Sequence, residues 1–172
     1  MSDKYMPIKI RYLLICESPP LDCSHYFYCE EDRGNQILFA TIIKAFYDYD
    51  YKNSLGNKKA LLNRLKEDGV FLIDAVDYPI NRDVKGGKVN LKNKKMEIKN
   101  NKKNLFDRLC NMKRQKVLNG DTKIILISKT VHSCLYEELI TRGLNVINDN
   151  PIKFPFYYRD RNTVDCLRYV LK

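Results

Sequence analysis

An α/β fold, a three-layer αβα sandwich around a central, mainly parallel four-stranded sheet, is what this 172-residue sequence predicts. Three observations carry that expectation. The stretch Ile8–Pro20, IKIRYLLICESPP, and the runs VFLIDAV (70–76) and KIILIS (123–128) are apolar and rich in β-branched residues, as strands covered on both faces read. Segments with helical apolar spacing lie between them, and strands alternating with helices imply crossovers and a parallel sheet. The first two runs each end in a carboxylate followed by proline, which forbids further ladder pairing.

Taken in order, the first strand delivers Glu17 and Ser18 to its carboxyl end, held by the stiff Pro19-Pro20 turn. In open α/β sheets that edge is where ligands bind. An irregular stretch, LDCSHYFYCEED, leads to a helix over about 34–47 with Ile37, Phe39, Ile42, Ile43 and Phe46 apolar. A second helix runs from about Lys58 to Glu67, stopped by Asp68-Gly69. Strand 70–76 repeats the layout of the first, ending in Asp77-Tyr78-Pro79. Residues 104–116 predict an amphipathic helix with Leu105, Leu109 and Met112 on one face. After the strand 123–128, Thr130 is the expected N-cap of a helix to about Arg142, closed by Gly143. Leu144–Ile147 is the expected fourth strand, and a helix over about 159–171 ends the chain.

Composition narrows the class. Forty-four per cent apolar residues with twelve Tyr and seven Phe exclude a disordered chain, and the length suits a single domain over 1–172. No apolar run approaches the roughly 20 residues needed to span a bilayer. The N-terminal MSDKYMPIKIRY has no apolar leader core, so the expectation is a soluble cytoplasmic protein with no membrane partner. Six cysteines occur without a CxxC pair and read as reduced thiols, Cys16, Cys134 and Cys166 as small core hydrophobes. Cys23, His25 and Cys29 have irregular spacing, so no metal is expected. The 31 Lys+Arg against 21 Asp+Glu give a net charge of +10, the balance of a protein that meets a polyanion. Much of it falls in a Lys/Asn-rich insertion at about 82–103, which reads either as a solvated loop or as a nucleic-acid-facing one through lysines such as Lys94 and Lys95.

The fold logic gathers four loops on one rim: 17–20, 74–79, 128–132 and 148–156. Their residues carry a resemblance. ICESPP resembles the first motif of the uracil-DNA glycosylase superfamily, an apolar strand followed by a water-positioning polar residue and a proline, with Glu17 in the polar place. FLIDAVDYPINR resembles its second motif, and Asp74 falls at the base-reading asparagine. Tyr26, Phe27 and Tyr28 occupy the region of the aromatic ring that stacks on the extruded base, and NPIKFPFYY that of the last, duplex-wedging loop. The resemblance covers most of the chain in element order. It implies a DNA glycosylase of base-excision repair acting on double- or single-stranded DNA as a monomer, with Glu17 and Asp74 catalytic. Ser18, Tyr26, Phe27, Tyr28, Lys129 and His132 would then meet the substrate. Lys153, Phe154, Pro155, Phe156, Arg159, Arg161, Lys94 and Lys95 would meet DNA.

The chemistry required agrees with the residues offered. Taking a nucleotide out of the stack needs cations for phosphate, an apolar wedge and a π surface for the base. Breaking the glycosidic bond develops positive charge on the sugar, which a carboxylate such as Glu17 stabilises, and negative charge on the base, which needs a donor. Asp74 bears on that need, since an ionised carboxylate accepts but cannot donate, and only burial would protonate it. The excised base therefore stays open among uracil, hypoxanthine, xanthine and a modified pyrimidine. Tyr78 stands near where an iron–sulfur branch would place a cysteine, so no cluster and no cofactor are expected. Two other readings remain: a non-catalytic nucleic-acid-binding module on the same fold, and a phosphate-ligand enzyme on a flavodoxin-like fold. No Gly-rich phosphate loop follows the first strand in favour of the latter.

Overall fold

The computed structural model describes residues 2–22, 25–31, 36–51, 57–80, 87, 89–155 and 161–172. Three parallel strands, β1 (Tyr12–Cys16), β2 (Val70–Asp74) and β3 (Lys123–Leu126), form a sheet of order β2-β1-β3. Consecutive residues Leu13, Leu14, Ile15 and Cys16 of β1 are all buried, so both faces of the sheet are covered. Among the described residues six α-helices supply the cover: α1 (Ile37–Tyr47), α2 (Lys58–Glu67), α3 (Leu91–Asn100), α4 (Lys102–Arg114), α5 (Lys129–Thr141) and α6 (Arg161–Leu171). Five of them associate in two groups, α1 against α6 and α3 against α4 and α5, while α2 packs on β2 and on the 3-10 turn Ser2–Tyr5.

Local chemistry explains the joints. α2 ends where the sequence places its stop, and Gly69 takes φ +76°. A Cβ there would lie 2.9 Å from the Lys9 carbonyl oxygen, so glycine alone lets the turn pass beneath the entry to β1. The Gly69 carbonyl then accepts from the Arg11 and Tyr12 amides, starting the β1–β2 ladder. Arg168 of α6 donates to the Lys44 carbonyl and the Asp48 carboxylate at the C-terminus of α1, closing that helix pair.

Among the described residues the sheet has three strands rather than four. The chain after α5 touches β3 only at two isolated bridges, Ile124 with Val146 and Ile127 with Ile152. Between them the Asn148 side chain replaces the missing backbone: its Oδ1 accepts from the Leu126 amide at 2.9 Å and its Nδ2 donates to the Leu126 carbonyl at 3.1 Å. Asn148 is 1% exposed, so both bonds are dry. The opposite edge is closed by the same device. The Tyr28 hydroxyl donates to the Leu72 carbonyl and accepts from the Leu72 amide. Two side chains thus satisfy the sheet edges that further strands would otherwise pair.

Three other expectations need correcting. Much of the Lys/Asn-rich segment is helix: Asn90 caps α3 by accepting from the Asn93 amide, and the buried Ile98 anchors it while α5 packs alongside. A single fully buried residue in ten leaves almost no apolar period to detect. The N-cap of α5 is Ser128, not Thr130, because β3 turns into the helix within two residues. Cys166 is exposed on α6, whose inward residues are Thr163, Val164 and Leu167. Residues 159 and 160, expected to begin that helix, and residues 34 and 35, expected to begin α1, lie outside the described residues. No helix among the described residues is long and apolar enough to cross a membrane.

Candidate functional site

The parallel register brings the strand ends together. Cys16 pairs with Asp74 across β1 and β2, and the ladder continues as the Ala75 and Val76 amides donate to the Cys16 and Glu17 carbonyls. On the other side Ile15 pairs with Leu126, and the Ile127 amide donates to Ile15. Glu17 and Ser128 therefore stand level, each two residues past that pair. β1 leaves toward β2 while β3 leaves away from the sheet centre, so the two meet at a topological switch point, where the carboxyl ends of strands open a crevice.

Glu17 sits at this point with its side chain 13% exposed. The Ser128 hydroxyl donates to its Oε1, and Lys94 of α3 brings its Nζ to 3.5 Å from Oε2. Ser128 is 2% exposed with φ 111°, a setting that costs a non-glycine residue of order 1–3 kcal/mol. Hydrogen bonds hold it there: the hydroxyl oxygen also accepts from the Thr130 and Val131 amides, and the Ser128 amide donates to the Ile152 carbonyl. One strained residue thus caps α5 and fixes Glu17. Ser18 ties the first two loops together, its hydroxyl accepting from the Ile80 amide.

Asp74 faces the same cleft from the end of β2. Burial pushes its carboxyl up to about 7, the Arg108 guanidinium opposes that rise, and Asp77 adds to it. Arg108 reaches across from α4 but spends its strongest contacts elsewhere, donating to the Asp74 backbone carbonyl at 2.6 Å and pairing with the Asp77 carboxylate at 2.6 Å. Asn104, one turn earlier on α4, donates to the other Asp77 oxygen. Asp74 is thereby left as a carboxyl whose protonated and ionised forms are both populated near neutral pH. Cys16 beside it stays a neutral thiol, because burial first, and Asp74 and Glu17 second, raise it well above its ordinary value.

The cleft between these groups has a volume of about 570 Å³, in the range of small-molecule sites. Tyr26, Phe27, Phe39 and Phe154 give it aromatic walls, and Pro155 borders it. Phe27 is held edge-on against Phe39, and Lys58, buried above the Phe39 ring, donates to the Tyr26 carbonyl. Tyr28 is not part of this wall, because its hydroxyl closes the edge of β2. A second compartment of about 590 Å³ adjoins the first and shares Glu17, Lys94, Val89 and Phe154 with it; Lys129 and Lys153 line it.

Of the other sequence-predicted residues, His132, Lys95 and Arg161 line neither compartment. His132 is turned aside, its Nε2 3.0 Å from the Asn148 carbonyl oxygen and its ring stacked on Tyr136. Arg161 is exposed at the start of α6. Phe156 and Arg159 lie outside the described residues, as does Cys23. Among the described residues no three His, Cys, Asp or Glu side chains gather to hold a metal ion. Sequence reasoning missed Ser128, Arg108 and the pairing of Lys94 with Glu17. Only Ser128 left a local signal, a hydroxyl between a buried strand and a helix. No protein-family model matches the chain, nor does any curated protein or solved structure.

Proposed function

We propose that this chain hydrolyses the N-glycosidic bond of a deaminated or damaged base in DNA. The observation that carries the reading is the pairing, in one aromatic cleft, of a carboxylate fixed by a hydroxyl and a lysine with a second carboxyl that burial raises to about 7, so that its protonated form is populated at neutral pH. The two have opposite tasks in glycosidic cleavage. Glu17 orients a water toward the sugar C1′, accepts its proton and stabilises positive charge on the sugar. The electrons of the C1′–N bond go to the base, where protonated Asp74 donates to a carbonyl oxygen gathering negative charge. The requirement that Asp74 be a donor is thus supported by its environment. Tyr26, Phe27 and Phe154 give an extruded base flat apolar surfaces.

Topology supports the same reading. The right-handed rule for parallel crossovers would put α1 and α2 on one face of a β2-β1-β3 sheet and α3 and α4 on the other. The pairings of α6 with α1 and of α5 with α3 are compatible with the three-layer arrangement the resemblance implies. The test is incubation with end-labelled oligonucleotides carrying uracil, hypoxanthine or xanthine, single- and double-stranded, followed by alkali. The expected result is cleavage at one of these bases; salt-sensitive binding without cleavage at any of them would instead favour a non-catalytic nucleic-acid-binding module.

A further inference from the structure

The second compartment differs from the first in its charge. Three lysines line it from three parts of the fold: Lys94 from α3, Lys129 from the first turn of α5, and Lys153 from the segment after the Ile152 bridge. Asn162, in the first turn of α6, adds an amide. Glu17 is the one carboxylate among the described residues lining it, and Lys94 and Ser128 already engage it. The Ser128 hydroxyl takes the first amides of α5, so the cationic character comes from the lysines and not from the helix end. The Thr163 hydroxyl donates to the Lys153 carbonyl, which anchors that loop to α6.

The geometry points to a phosphate subsite in this compartment, taking the phosphoryl group on the sugar whose base occupies the aromatic compartment. The two spaces share Glu17, Lys94, Val89 and Phe154, so a ligand filling both places its sugar against Glu17. That is the polarity order of a nucleotide: a flat apolar end, a sugar, and a dianionic or monoanionic phosphate met by lysines. The chemistry is shared by a phosphodiester within a DNA strand and the phosphomonoester of a free nucleotide. The subsite stands on its own cavity and charges, and only the placement of base and sugar rests on the proposed function.

Titration calorimetry at low salt separates the possibilities, with dUMP and dIMP compared with deoxyuridine and deoxyinosine and with inorganic phosphate as competitor. At least one nucleotide should bind about tenfold or more tighter than its nucleoside, the worth of a charge-assisted contact, and phosphate should compete with it. The double variant Lys129→Ala/Lys153→Ala should bring that ratio close to one while leaving nucleoside affinity unchanged. Equal affinities of nucleotide and nucleoside in the native protein together with oligonucleotide binding that the double variant does not weaken, or a ratio that survives in the double variant, would overturn the subsite. Base release from oligonucleotides with no preference for free nucleotides would assign the lysines to the phosphodiester if the double variant weakens oligonucleotide binding, and would overturn the subsite if it does not. Nucleotide binding that follows the lysines without any base release would leave the subsite standing and remove the glycosylase reading.

Discussion

Asp74→Asn should change how stability depends on pH, by an amount the structure sets. Burial raises the Asp74 carboxyl from 3.8 to about 7, so between those values the folded protein binds a proton that the unfolded chain has released. A raised acid of this kind contributes stability that is complete below pH 3.8 and lost as pH rises through about 7. Integrating between the two pKa values, the loss attributable to Asp74 from pH 5 to pH 8 is about 2.5 kcal/mol. Asparagine does not titrate, so whatever offset it introduces is the same at both pH values. Urea unfolding of both proteins at pH 5 and pH 8 isolates the term as a difference of differences. The variant should gain on the native protein by about 2.5 kcal/mol on going to pH 8, about one sixth to one half of a typical domain's stability. A gap constant to within about 0.5 kcal/mol would show that Asp74 is ionised throughout, and the donor role assigned to it would fall.

Ser128→Ala should destabilise by about 1–2 kcal/mol through loss of the α5 cap, while Ser128→Gly should lose less because glycine adopts φ 111° without strain; thermal unfolding of the pair checks the order. Asn148→Asp replaces two buried donors with a carboxylate facing the Leu126 and Asn150 carbonyls and should cost about 2–4 kcal/mol, with Tyr28→Phe costing about 1–3 kcal/mol by leaving the Leu72 amide unpaired at the other sheet edge. Both are measured by denaturant unfolding. Glu17→Gln should lower single-turnover base release by about 10²-fold or more with oligonucleotide affinity nearly unchanged; a parallel loss of affinity would make Glu17 a binding residue.

The strands were legible because their chemistry is local. Residues covered on both faces write themselves as unbroken apolar runs, and β1, β2 and β3 fall inside the three runs so identified. The bounds of α2 are also those the sequence predicts, since Asp68-Gly69 ends it through a backbone requirement that glycine alone meets. The fourth strand was over-read for a related reason. The β-rich composition of Leu144–Ile147 is real, but a buried amide four residues from its start outcompetes the backbone for Leu126. α3 was hidden because one buried isoleucine among lysines and asparagines gives no period, and its helical state depends on packing against α5. The site divides the same way. Glu17 and Asp74 were readable as carboxylates at strand ends, whereas the residues that contact them, Ser128, Lys94 and Arg108, reach them from 111, 77 and 34 positions away. Those partnerships follow from strand order, which local pattern does not encode.

The central claim is that the cleft holding Glu17 and Asp74 breaks a glycosidic bond. Mass spectrometry of an intact oligonucleotide after incubation with excess protein tests it without any chemical cleavage step. The predicted product is a strand that has exchanged one base for a hydroxyl at C1′, its backbone unbroken, together with the free base. If strands bearing uracil, hypoxanthine and xanthine all keep their starting mass at saturating protein, the account of this site as a hydrolytic centre is contradicted.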